Sequence, residues 1–179
     1  MILRDVLKDD YKKVKILYNT AFPSEERAPF FMMKSRVKKQ RGKLLVADDK
    51  GEFVGFVYLV CLENLVYVYY LAISSECRGK GYGSEVLRLI QEKYKGNKIF
   101  LAREQLDPKA ENFEQRKGRH EFYLKNGFED LPCCIKEASV VYDVMGVGGN
   151  VSANEYKALI AQWAGPIFIK LVDMRIIEK

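Results

Sequence analysis

CRGKGYGSEVL, residues Cys77–Leu87, decides how this chain is read. It follows an apolar run and opens a helix-patterned one. Between the two, Arg78 to Ser84 hold Gly79, Gly81 and Gly83 beside the cations Arg78 and Lys80. The first N–H groups of a helix have no intrahelical acceptor, and the helix dipole adds to their partial positive charge. Glycine has no Cβ to hold an anion away from that backbone. The ligand expected here is a phosphate or pyrophosphate; the alternative is a glycine-rich turn with no ligand.

Two nucleotide-binding motifs are excluded. A P-loop places G-K-[ST] at its end, whereas Lys80 precedes Gly81 and no such triplet follows. A dinucleotide fingerprint needs a third glycine where Ser84 stands, and it opens a βαβ unit instead of following a hairpin.

Working outward, LVYVYYLAIS before the loop reads as a strand covered on both faces, so low is its polarity. Upstream, KLLVADDKGEFVGFVYLVCL is a hairpin pattern, two apolar runs joined at Asp48-Asp49-Lys50-Gly51. MILRDVL is a first strand, and Asp9 or Asp10 is expected to cap a helix that presents Val14, Leu17 and Tyr18. SEERAPFFMMKSRVKKQ is a less regular helical stretch broken near Pro29, with Phe30–Phe31 either in the core or over a site. Downstream, SEVLRLIQEKYKG is a helix with Val86, Leu87, Ile90 and Tyr94 on one face, stopped by Gly96. KIFLAR is a strand, and a polar loop from Glu104 leads to a helix closed by Gly127. Strand-like runs follow near 128–135 and 139–147. Ser152 and Glu155 have capping-box spacing and open a helix with Tyr156, Leu159, Ile160 and Trp163. The tail IFIKLVDMRII fits strand or helix. The order is that of an α/β domain with a mixed sheet.

The chain has 179 residues, 48% hydrophobic and 30% charged, the profile of one soluble globular domain. No apolar run is long enough to span a membrane and no signal peptide is evident, so a cytoplasmic location is expected. Cys61, Cys77, Cys133 and Cys134 make no C-x-x-C pair, and His120 is the only histidine. A metal cluster or a Cys–His nucleophile lacks the parts, and no metal is expected. The net charge of +6 is spread along the chain, so nucleic acid is not expected as partner.

Arg78-x-x-Gly81-x-Gly83 resembles the R/Q-x-x-G-x-G/A signature of the GNAT family of acetyl-CoA-dependent N-acetyltransferases. EFYLKNGF, some forty residues on, is similar to the family's second signature, a helix ending in Tyr followed by Gly-Phe. The resemblance covers about 1–147 and implies a mixed, mostly antiparallel central sheet flanked by helices, with 148–179 as a C-terminal helical extension. It implies acetyl-CoA (coenzyme A) as cofactor, with its pyrophosphate on the amides of Arg78, Gly79, Lys80, Gly81, Tyr82, Gly83 and Ser84. Leu71, Ala72 and Ile73 would pair with the pantetheine arm, one of their N–H groups polarising the thioester carbonyl. Tyr123 matches the tyrosine that protonates the departing thiolate. Arg116 stands where many members carry an asparagine that touches the cofactor arm.

Transfer to an amine requires that a proton leave an ammonium. With almost no histidine, Glu104 at a strand end is the candidate base; its alternative is a solvated strand-end acid. Glu25 and Glu26 lie where the family forms its acceptor wall, or simply begin a helix. Glu104, Asp107, Glu111 and Glu114 make a local acidic reversal in a basic chain, which would suit a cationic primary amine. The acceptor, a small molecule or a peptide, is not specified by the sequence. Trp163 is core or a homodimer contact. The competing functions are a non-catalytic acyl-CoA sensor and a basic nucleic-acid-binding protein.

Overall fold

Lys50 and Gly51 both adopt positive φ, 54° and 88°. That pair of signs is what a two-residue hairpin turn needs to match the twist of its strands. It joins β2 (Lys43–Asp49) to β3 (Glu52–Leu62), and Asp48 Oδ1 accepts from Gly51 N at 2.7 Å to close the turn. The computed structural model describes residues 1–137, 140–165 and 174–178.

Before the hairpin come β1 (Ile2–Asp5), α1 (Asp10–Ala21), a 3-10 turn (Ser24–Glu26) and α2 (Phe30–Lys38). After it follow β4 (Leu65–Ile73), a 3-10 turn (Ser75–Cys77), α3 (Tyr82–Lys93) and β5 (Lys98–Glu104). The chain then forms α4 (Phe113–Lys125), β6 (Glu129–Glu137), β7 (Val140–Val147), α5 (Ala153–Ala164) and β8 (Met174–Glu178). The strands form one eight-stranded sheet in the order β1-β2-β3-β4-β5-β7-β6-β8. β4 and β5 pair in parallel over three registers, Leu65↔Lys98 to Tyr67↔Phe100, and five other neighbour pairs are antiparallel. This is the expected mixed, mostly antiparallel sheet flanked by helices. The C-terminal extension is the helix α5 followed by an added strand, β8, on β6. The tail left open between strand and helix is strand over Met174–Glu178, and its earlier residues lie outside those described.

The chain divides into two compact units, Met1–Val60 with Val68–Lys93, and Cys61–Tyr67 with Tyr94–Lys179. In the first, α1 turns Val14, Leu17 and Tyr18 inward, as its spacing predicts. Full burial of such side chains stabilises by about 1.5–3 kcal/mol each. The expected cap is different: neither Asp9 nor Asp10 bonds a helical N–H. Asp10 is buried instead, accepting from Leu7 N at 2.8 Å and pairing with Arg4 at 2.6 Å, while Arg4 Nε reaches Asp48 at 2.9 Å. Arg4 lies half-buried between two carboxylates, and that need outweighs capping. Its hydrogen bond holds Asp10 below the usual carboxylate range. Phe30 joins the aromatic group around Tyr18, whereas Phe31 is 77% exposed.

In the second unit Tyr67 stacks on Phe100 at 4.5 Å, and Tyr156 meets both rings edge-on. α5 buries Tyr156, Leu159, Ile160 and Trp163, and its start carries the expected capping box between Ser152 and Glu155. Lys98 Nζ lies 2.6 Å from Glu155 Oε1 and ties that cap to β5.

Candidate active site

The glycine loop lies in the first unit, between β4 and α3. Gly79 and Gly81 take φ of +75° and +82°, which L-residues with a Cβ rarely adopt. A Cβ built on either would meet no atom within 4 Å, so the space over the loop is open. The 3-10 turn uses the N–H groups of Cys77 and Arg78 on Ser74 and Ser75 carbonyls, and α3 begins with Glu85 N on Gly81 O at 3.1 Å. Among the described residues, the N–H groups of Gly79, Lys80, Gly81, Tyr82, Gly83 and Ser84 have no acceptor. A row of open donors at the start of a twelve-residue helix fits a pyrophosphate.

Two contacts brace the loop that its spacing did not announce. Arg78 Nε donates to Ile73 O at 3.2 Å, linking the loop to the strand end. Tyr82 Oη donates to Asp49 Oδ2 at 2.8 Å, and the same carboxylate holds the Met1 amino group at 3.2 Å. That hydrogen bond raises the Tyr82 phenol and holds Asp49 low. Leu71 and Ile73 are half-buried and Ala72 is buried. Gly55 of β3 lies so close that a Cβ there would come within 2.3 Å of Ala72 O. Only glycine permits this approach, which fixes the end of β4.

Tyr123 and Glu104 lie in the second unit. Tyr123 is half-buried on α4, its ring against Phe122 at 5.2 Å and Phe128 at 6.0 Å. Burial around the hydroxyl pushes the phenol up, against a smaller pull from Arg119. Among the described residues nothing hydrogen-bonds that hydroxyl. Glu104 is more heavily engaged. Its Oε1 accepts from Asn112 at 3.0 Å and pairs with Arg116 at 3.3 Å, while Oε2 pairs with Arg119. Arg116 also donates to Asn112 Oδ1 at 2.7 Å and Gln105 O at 2.9 Å, so its guanidinium is held locally. Within the acidic stretch, the charge of Glu104 is therefore offset by two guanidiniums.

A network beside it was not foreseen. Arg103, 7% exposed, meets Asp130 at 3.0 Å and Asp143 at 3.3 Å, and His120 Nε2 lies 2.8 Å from Asp130 Oδ2. Burial works to raise Asp130, but His120 and Arg103 outweigh it and hold the carboxyl low. No local pattern signals these pairs, because they join β5, α4, β6 and β7.

The acetyltransferase (GNAT) domain model matches residues 40–130, more than half of the chain. The chain belongs to the GNAT acetyltransferase family. No curated protein matches it at the sequence level. Solved GNAT folds do. A protein described as an acetyltransferase of the GNAT family from Bacteroides thetaiotaomicron is 20% identical, with TM-score 0.68 over 94% of this chain and 98% of its own. An aminoglycoside 6'-N-acetyltransferase complexed with coenzyme A is 16% identical, TM-score 0.63, over 82% and 96%. The PaiA N-acetyltransferase of Thermoplasma acidophilum, also with coenzyme A, is 18% identical, TM-score 0.57, over 81% and 96%. At such identities the likeness is one of GNAT fold. No helix among the described residues is long and apolar enough to cross a membrane.

Proposed function

We propose that this GNAT chain is one acetyltransferase domain that moves the acetyl group of acetyl-CoA directly to a primary amine in a ternary complex. The observation that carries the reading is the row of open N–H donors from Gly79 to Ser84, in a chain of this family. Acetyl-CoA supplies a thioester, an acyl group activated toward amines. Arg78 to Ser84 hold its pyrophosphate, and Leu71, Ala72 and Ile73 offer backbone to its arm. In the transfer the neutral amine nitrogen bonds the acetyl carbon and gives up a proton to Glu104 or to water, the carbon–sulfur bond breaks, and the sulfur takes a proton from Tyr123.

Tyr123 suits that role because its raised phenol keeps its proton at neutral pH. A phenol pushed up by burial is a weaker acid than a thiol, so complete transfer of its proton to a free thiolate is uphill. The proton therefore moves together with carbon–sulfur cleavage, and solvent restores it to Tyr123. Direct transfer is preferred because the Cys77 thiol makes no hydrogen bond among the described residues that would activate it.

Glu104 enters in two ways. As base, it takes the acceptor's proton directly or through one water. As anchor, it holds α4, and with it Tyr123. The two guanidiniums on its carboxylate favour the anchor, since opposite charges lower proton affinity. The acceptor is read as a cationic primary amine, small or peptidic, and the site of action as the cytoplasm. The test is a thiol-release screen of purified protein with acetyl-CoA against monoamines, diamines, aminoglycosides and lysine or N-terminal peptides. Steady release with one class supports transfer. Tight acetyl-CoA binding without release from any of them leaves a sensor.

A further inference from the structure

The glycine loop is fastened at both ends to one hairpin, β2–β3. A register shift between Ala47 and Asp48 leaves Val54 without a partner on β2, so β3 carries an extra residue and bulges there. The Val54 carbonyl accepts from Ser74 N at 2.9 Å, at the entry to the loop. At the exit, Tyr82 opens α3, and its Oη donates to Asp49 Oδ2 at 2.8 Å. Between those two points lie Gly79, Lys80 and Gly81, whose amides have no acceptor among the described residues.

The hairpin tip is itself held. Asp48 accepts from Gly51 N at Oδ1 and from Arg4 Nε at Oδ2, at 2.7 and 2.9 Å. Asp49 therefore stands on a fixed frame, whereas Tyr82 stands on the segment that needs fixing. Glycine has more conformational freedom to lose than any other residue, so a loop with Gly79, Gly81 and Gly83 is costly to order around a ligand. A side chain that ties the loop to the frame beforehand lowers that cost. Asp49 also brings negative charge toward a site for anions, which by itself opposes binding. The Met1 amino group, 3.2 Å from Oδ1, offsets that charge. What the residue contributes is the tie.

We propose that Asp49 is a positioning residue that, through the Tyr82 hydroxyl, holds the open amides of the glycine loop at the spacing a pyrophosphate needs. The inference rests on the cofactor reading above. It gives an acidic residue a part in binding an anion, by geometry and against its own charge.

Tyr82→Phe keeps the ring and the backbone N–H and removes only the hydroxyl. Its affinity for acetyl-CoA, measured by calorimetry, should fall by about fivefold, the loss of one hydrogen bond. Asp49→Ala should match it, and the double variant should fall no further, because both changes remove the same tie. Asp49→Asn separates tie from charge. Its amide oxygen still accepts from the phenol, so affinity should stay within about twofold of wild type. A rise in affinity in Asp49→Asn and Asp49→Ala alike would make repulsion the larger effect and overturns the proposal. Normal affinity in Tyr82→Phe overturns it too, as does a loss in Asp49→Asn equal to that in Asp49→Ala. If Asp49→Ala does not fold, Tyr82→Phe and Asp49→Asn, which keep the local shape, decide the matter. Gly81→Val keeps this inference apart from the reading beneath it. Where Gly81→Val loses acetyl-CoA and Tyr82→Phe does not, the cradle stands and the positioning role falls. Where wild type does not bind acetyl-CoA, or Gly81→Val binds it equally well, the cofactor reading falls and this inference with it.

Discussion

Glu104, the last residue of β5, and Arg119, in the second turn of α4, are joined carboxylate to guanidinium across fifteen residues of sequence. α4 buries none of its residues. Polar side chains tie it to the rest of its unit, Arg116 and Arg119 on Glu104 and His120 Nε2 at Asp130, beside the ring contact of Tyr123 with Phe128. Tyr123 stands four residues after Arg119, on the same face of the helix.

Glu104→Gln separates base from anchor by the shape of a pH profile. A lost base gives a defect largest near neutral pH that recovers as the amine deprotonates itself. A lost anchor leaves Arg119 unneutralised beside Tyr123, and a cation favours phenolate. The anchor reading therefore expects the alkaline limb of kcat to move to lower pH, with no recovery. Salt should mimic it: raising ionic strength weakens partly exposed pairs, so wild-type kcat should fall with salt more than the Glu104→Gln variant does.

Tyr123→Phe retains the ring against Phe122 and Phe128. The turnover number should fall by roughly 10²-fold, with acetyl-CoA affinity within about twofold of wild type. Near-normal turnover in an assay limited by chemistry would return Tyr123 to a packing role.

Gly81→Val places a branched side chain at φ +82°, over the open amides. The backbone strain should cost about 1–2 kcal/mol of stability. Acetyl-CoA affinity, measured by calorimetry on protein folded well below its Tm, should fall by more than about tenfold, because the Cβ stands between amide and phosphate. Equal affinity would mean that the pyrophosphate lies elsewhere.

The Lys98–Glu155 pair predicts a limit in acid. The hydrogen bond from Lys98 is the largest cause that takes the Glu155 carboxyl down to about 2 from its ordinary 4.5. The folded group titrates lower than the unfolded one, so its contribution is complete above about pH 4.5 and is lost as pH falls toward 2. Glu155→Gln should lower Tm at neutral pH and narrow its difference from wild type through that window. A constant difference would place the loss in packing.

The hairpin, α3 and α5 were legible because each is specified locally. Lys50-Gly51 demands a primed turn, Val86, Leu87 and Ile90 share one helical face, and Ser152 with Glu155 is a self-contained cap. The glycine loop was legible for the same reason. Asp10 was misread as a cap because its partner, Arg4, lies on β1 and shares it with Asp48 on β2. The partners of Glu104 were hidden in the same way: Arg119 reads as one more cation until α4 folds back toward the strand end. The tie from Tyr82 to Asp49 gave no signal at all, since the loop's spacing records its glycines and says nothing of a phenol's oxygen.

Trp163, fully buried on α5, is the chain's only tryptophan. Indole emission therefore reports on the half of the molecule that does not contain the glycine loop. A red shift on denaturation would follow the melting of α5, since the first unit holds no tryptophan. An intensity change on adding acetyl-CoA would show that the second unit senses the cofactor, read by light alone and without an attached dye.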